Sequence, residues 1–211
     1  MLVFTAIYNK YDVVRQPSII NPDVARWVCI TDSEDPGGIW KSKIVNCDLS
    51  PRRCARKAKI LFHKFFDDEI VIWHGGNVVL RGDINALVSA MGNCDIAVIK
   101  HDQRNCVYKE AEACKHWGLD DKRVIDAQMH RYKVDGYPVN NGLSAAFLIV
   151  RRNTAKIREL CDMWWEEVSN GSHRDQLSLD YCMWKTGIEP AIIPGNIYQG
   201  RNYKRFPTHL R

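Results

Sequence analysis

In "DDEIVIWHGGNVVL" (67 to 80) an apolar run ends on Trp73-His74-Gly75-Gly76-Asn77 and then resumes at once. Gly75 and Gly76 remove two side chains, which lets a ligand approach the main chain; a bulge or tight turn is the plainer reading of a Gly-Gly pair. His74 and Asn77, with His209 near the carboxyl end, make a nitrogen and oxygen set suited to a divalent ion of the Mn type. Each histidine alone is more often a satisfied structural residue.

Two further clusters carry charge. "SHRDQLSLDY" (172 to 181) places Arg174, Asp175 and Gln176 in the first turn of an expected helix. There a carboxylate either satisfies free backbone amides or faces a polar substrate. "SPRRCARKAKILFHKFF" (50 to 66) reads as a helix with Pro51 at its first position. Arg53, Lys57 and Lys64 recur near helical spacing, a stripe that clamps phosphates or simply faces solvent.

The elements that must position these clusters follow from apolar patterning. Runs at 2 to 8, 26 to 32, 42 to 47, 69 to 74, 94 to 100 and 143 to 151 are nearly continuous, as expected for strands buried on both faces. Helical spacing marks 120 to 134, 154 to 168 after Asn153 as N-cap, and 173 to 185 after Ser172 as N-cap. Alternating strands and helices predict an α/β sandwich with a mostly parallel sheet in one domain, 1 to 211. Ligands of such sheets gather outside the carboxyl ends of the strands, which points to "YNKYD", "TDS" and "HGGN".

Composition narrows the classes. With 45% apolar and 26% charged residues the chain has material for a core, and its net charge of +5 is concentrated in 50 to 59 and 200 to 211. Such patches suit an anionic ligand or a solvated face. No aromatic ladder accompanies them, which disfavours single-stranded nucleic acid. Eight cysteines without a CxxC pair exclude a zinc ribbon, and those in apolar patterns, such as Cys29 and Cys161, read as reduced core residues. No GxGxxG or P-loop occurs, and no stretch is long enough to span a membrane. The expectation is a monomer in the cytoplasm.

Taken in order, "FTAIYNKYDVVRQP", "RRCARKAKILFHKFF", "EIVIWHGGNVVL", "IKHDQRNCVYKEAEACK", "IDAQMHRYKVDGYP" and "SHRDQLSLDY" resemble the TOD1/MUCI70-type glycosyltransferase-like family across nearly the whole chain. The resemblance implies a GT-A fold, with a central mostly parallel mixed sheet flanked by helices. It implies transfer from a UDP-sugar to a glycan or glycoprotein acceptor with Mn²⁺ or Mg²⁺, with the anomer retained. The layout also resembles a virally encoded capsid-decorating domain, which implies the host cytoplasm.

By resemblance, Thr5, Ala6, Ile7, Tyr8 and Tyr11 cradle the nucleoside, and Trp73, His74 and Gly75 adjoin the donor. Arg53, Lys57 and Lys59 hold the diphosphate, Arg174, Asp175 and Gln176 orient the reacting sugar, and Asn77 and His209 hold the metal. One departure stands out. The family motif reads Trp-x-Asp-Gly-Asn, and its Asp position is Gly75. That leaves an active variant with weakened metal binding, His74 as a partial substitute, or a relative that only binds nucleotide or nucleic acid.

Overall fold

The computed structural model describes residues 1 to 33 and 36 to 207. In chain order the elements are β1 (Leu2–Ile7), β2 (Ser18–Ile19), β3 (Arg26–Thr31), β4 (Lys41–Ile44), α1 (Pro51–Ile60), β5 (Ile70–His74), β6 (Val78–Gly82) and α2 (Asn85–Ser89). They continue with β7 (Ile96–Lys100), α3 (Val107–His116), α4 (Lys122–Val134), β8 (Ser144–Arg152), α5 (Ala155–Asn170), α6 (Gln176–Thr186), β9 (Ala191–Ile192), β10 (Gln199–Gly200) and β11 (Tyr203–Arg205).

The expected apolar runs become a seven-stranded sheet of order β4-β3-β1-β5-β8-β7-β9. Only β8 runs antiparallel to its neighbours β5 and β7; the other pairings are parallel. A smaller sheet, β10-β11-β6-β2, was not anticipated, because its strands are two to five residues long and carry too little periodicity to register.

Strand alternation divides the core between the two faces of the large sheet. Phe4, Ala6, Val71 and Trp73 pack with α1 and α3 to α6. Val3, Ile7 and Ile72 pack with Trp27, Trp40 and the smaller sheet.

Helix boundaries shift from expectation for identifiable reasons. The run 50 to 66 is helical only to Ile60; Leu61 leaves the helix (φ −88°, ψ 37°) and a 3₁₀ turn, Phe62–Lys64, follows. Arg151, fully buried on β8, donates to the carbonyls of Lys59 (2.8 Å) and Ile60 (3.5 Å) and stacks over the Phe62 ring at 4.2 Å. A cation thus meets the negative end of α1 and satisfies carbonyls that the helix cannot. Thr154, not Asn153, caps α5 by accepting from the Ile157 amide at 3.3 Å. The last predicted helix starts only at Gln176; Ser172, four residues earlier, donates its hydroxyl to Asp120 and accepts the Arg174 amide at 3.1 Å in a turn that precedes the helix. No described helix is long and apolar enough to cross a membrane.

The cysteines need a correction as well. Cys47 and Cys54 form a disulfide with Cα atoms 5.9 Å apart, joining the segment after β4 to the first turn of α1. Proximity of two cysteines seven residues apart across a helix start carries no signature in sequence. Cys29 and Cys161 are buried free thiols, as read. Replacing Cys47 and Cys54 together by serine is expected to lower the unfolding free energy by about 2 kcal/mol, because the open loop regains chain entropy. Thiol labelling of the denatured, unreduced protein checks the bridge: labelling of all eight cysteines would refute it.

Candidate functional site

A cleft of about 790 Å³ opens at the carboxyl ends of β1 and β5. The loop after β1 (Tyr8, Asn9, Tyr11, Asp12), the Gly75-Gly76-Asn77 turn, one face of α1, Ala146 and Phe147 of β8, residues 173 to 176 and Arg205 line it.

Asn9 and Lys10 sit in the left-handed region (φ 54° and 50°), an arrangement that persists only where neighbours hold it. Asp32, from the expected "TDS" segment, does so by accepting the Asn9 amide with both carboxylate oxygens at 2.9 and 3.0 Å. Asp12 follows, and its carboxylate lies so close to Gly76 that a β-carbon there would sit 2.8 Å from Oδ2. The glycine therefore serves close approach, not turn conformation.

A buried ion pair organises the floor. Lys59 Nζ lies 2.5 Å from Asp175 Oδ2 and also donates to the Ala146 carbonyl, while Arg56 Nε is an ion-pair neighbour of Oδ1 at 3.0 Å. Trp164 Nε1 donates to the Asp175 carbonyl at 2.9 Å. Burial would raise the Asp175 pKa, but Arg56 and Lys59 outweigh it and hold the carboxyl at about 2. Burial brings Lys59 down to about 8, partly offset by Asp175. Both are charged at neutral pH, and Asp175 is spent on structure instead of capping α6, where it makes no side-chain cap bond.

Most sequence-predicted residues converge here: Ala6, Ile7, Tyr8, Tyr11, Arg53, Lys59, Trp73, Gly75, Asn77, Arg174, Asp175 and Gln176 all line the cleft. Thr5, Lys57 and His74 do not. Thr5 and His74 are on the opposite sheet face from Ala6 and Trp73, as strand alternation requires. His74 packs on Trp40 at 5.4 Å, bonds the Gly75 carbonyl through Nδ1, and has Nε2 buried without a partner. Burial lowers its pKa to about 4. The α1 residues that line the cleft are Arg52, Arg53, Ala55, Arg56 and Lys59, so of the expected stripe only Arg53 reaches it. Arg53 is consumed by the end of α5, donating to Val168 O at 2.6 Å and Gly171 O at 3.2 Å. His209 lies outside the described residues.

Sequence reading missed Arg52, Arg56, Asp12, His173 and Arg205. His173 Nδ1 is 2.7 Å from Asp120 Oδ2, and its Nε2 is 3.0 Å from Arg52 Nη1. This is a His-Asp dyad at the cleft wall. The adjacent "SHRDQ" contained the histidine, but its partner is 53 residues away. Burial lowers its pKa despite Asp120, which keeps the imidazole neutral and able to take a proton.

The fit to a divalent ion is poor. Among the described residues no group of three or more His, Cys, Asp or Glu side chains could hold a metal. Six basic side chains line the cleft against two carboxylates. A hard cation selects clustered anionic oxygens, which this wall does not supply.

Comparison with known proteins then places the chain. A sequence profile described as "TOD1/MUCI70, glycosyltransferase-like domain" matches residues 30 to 210. The chain is 25% identical over 209 residues to the protein named "Probable hexosyltransferase MUCI70" from Arabidopsis thaliana, covering 84% of this chain and 36% of that protein. The chain therefore spans about a third of the length of that relative. Its fold is similar to that of apo mouse xyloside xylosyltransferase 1, with a TM-score of 0.51 at 6% identity, covering 91% of this chain and 84% of the other. The fold is GT-A.

Two expectations follow from the geometry. Asp175→Asn strands Lys59 as a buried uncompensated charge and is expected to cost about 3–5 kcal/mol in denaturant unfolding, with Lys59→Met in the same chain recovering most of it. No recovery in the double variant would refute the coupling. Because His74 is neutral in the fold at a pKa of about 4 against an ordinary 6.5, its contribution is intact above pH 6.5. It is lost as pH falls toward 4, amounting to about 3 kcal/mol. His74→Gln is expected to flatten that acid limb in unfolding measured from pH 7 to 4.

Proposed function

This chain belongs to the TOD1/MUCI70 glycosyltransferase-like family, and from that premise we propose that it transfers a hexosyl group from a UDP-sugar to a hydroxyl of a glycan or glycoprotein acceptor. The observation that carries the reading is the basic cleft at the strand ends, where six cations against two carboxylates face a volume of about 790 Å³. A leaving nucleoside diphosphate gains negative charge as the glycosidic bond breaks, and fixed cations stabilise that charge more in the transition state than in the ground state.

In this reading Tyr8 and Tyr11 flank the nucleoside, while Gln176 and the Gly75-Gly76 backbone adjoin the sugar. Mn²⁺, which the family resemblance implied, is given no step, because the described residues do not form its ligand set. His173, oriented by Asp120, takes the proton from the acceptor hydroxyl as Arg52 swings from Nε2. A base on the acceptor side suits a single displacement, so the reading departs from retention and expects the inverted anomer. A non-catalytic binder would need none of this: its cations would lie on an open face rather than around a dyad.

His173→Gln is expected to lower kcat by about 10²-fold or more with little change in UDP affinity. Asp120→Asn should give a smaller loss by releasing the tautomer. Equal turnover in both variants, or an NMR time course showing the retained anomer, would overturn the role of the dyad.

A further inference from the structure

We propose that Arg174 and Arg205 hold the donor diphosphate in the place of a divalent ion, so that this chain binds nucleoside diphosphates without metal; this rests on the donor reading above.

The cations of the cleft are not equivalent. Arg53 is committed to the α5 carbonyls, Arg56 and Lys59 to Asp175, and Arg52 to His173. Arg174 and Arg205 are different. Among the described residues neither forms an ion pair with a carboxylate, and each has Nε buried without a hydrogen-bond partner. Arg174 hydrogen-bonds the Cys114 thiol and lies within the fields of Asp175 and His173. Arg205 makes a long 3.4 Å bond to the Ile197 carbonyl.

The two guanidiniums also feel each other. Burial and then the charge of Arg174 disfavour the protonated form of Arg205. Two like charges held together in a partly dry cleft are unfavourable until an anion lies between them. Guanidinium forks match phosphate oxygens two at a time, so a diphosphate with several exposed oxygens is the ligand class that satisfies both.

Position ties Arg205 to the glycine turn. Arg205 is in register with Val78, and the next residue, Phe206, exchanges two hydrogen bonds with Asn77: its amide to the Asn77 carbonyl at 2.8 Å, and its carbonyl from Asn77 Nδ2 at 2.7 Å. The Arg205 guanidinium lies 4.9 Å from the Phe147 ring centroid, and the Phe147 carbonyl accepts the Gly75 amide at 2.9 Å. A cation is thus locked beside a turn that carries no acidic side chain. Gly75 is not forced by conformation. Its φ is not left-handed, and a β-carbon would meet Asn77 Oδ1 at 3.2 Å and the Phe147 carbonyl oxygen at an ordinary 4.0 Å. The turn's own residues, Gly75, Gly76 and Asn77, supply no carboxylate, and Arg205 has no ion-pair partner among the described residues, which leaves its charge for the ligand.

The ten-residue helix α1 adds to the field, since Ser50 and Pro51 bring its amino end to the same cleft.

The test is calorimetric titration of the EDTA-treated chain with UDP, UMP and uridine, with and without Mn²⁺. UDP is expected to bind in EDTA more tightly than UMP, with Mn²⁺ changing its Kd by less than about 3-fold. Arg174→Met and Arg205→Met should each weaken UDP by about 10-fold or more, the loss of a charge-assisted contact, while leaving uridine unchanged; Arg205→Lys should recover part. Thermal melts confirm that the variants fold. UDP binding that requires Mn²⁺, or wild-type UDP affinity in both methionine variants, would overturn the proposal. Failure of UDP to bind under either condition would overturn the donor reading itself, a distinct result.

Discussion

Lys59, Asp175 and Arg56 meet at one point, and four parts of the chain are tied through it. The lysine and arginine come from α1, the carboxylate from the start of α6, the Ala146 carbonyl from β8, and the Trp164 indole from α5. Two charges this deep are costly to desolvate, and their mutual attraction offsets the cost only while the geometry holds. The cleft floor is therefore held to one arrangement. Arg151 donates to the carbonyls of Lys59 and Ile60, so the carboxyl end of α1 is held both by its own Lys59 side chain and by a buried cation from β8.

From that anchoring the rest of the site follows. A fixed α1 presents Arg52 and Arg56 to the cleft and leaves Arg53 to close the end of α5. A fixed segment 172 to 176 sets His173 against Asp120 and turns Arg174 inward. The two walls are thus charged in different senses: one neutralised within the protein, the other left for a ligand. That division, more than the number of basic residues, gives the cleft its chemical character.

Much of the layout was legible. The continuous apolar runs announced a doubly covered sheet, and the rule that ligands collect at strand ends points to "YNKYD" and "HGGN", most of whose residues line the cleft. Errors arose where one-dimensional spacing stands in for a three-dimensional phase. The α1 stripe left out Arg52 and Arg56 because Arg52 and Arg53 are equally basic, and only the end of α5 decides that Arg53 is consumed there. His74 looked like a ligand beside the glycine turn, yet alternation along β5 sends it to Trp40 while Trp73 meets the cleft. Asp175 was also read as a cap, and it makes no cap bond but pairs with Lys59 and Arg56 while lining the cleft.

The sequence by itself determined the alternating α/β pattern, the mouth of the sheet as the place for chemistry, the family, and the anomaly at Gly75. These are local properties, written in periodicity and in short ordered motifs. Tertiary structure alone decided which cations are spent and which are free, because Arg205 reaches the glycine turn from a strand over 100 residues downstream and Asp120 reaches His173 from another loop. Charge pairing depends on distance and desolvation in space, and neither is encoded in the separation of residues along the chain.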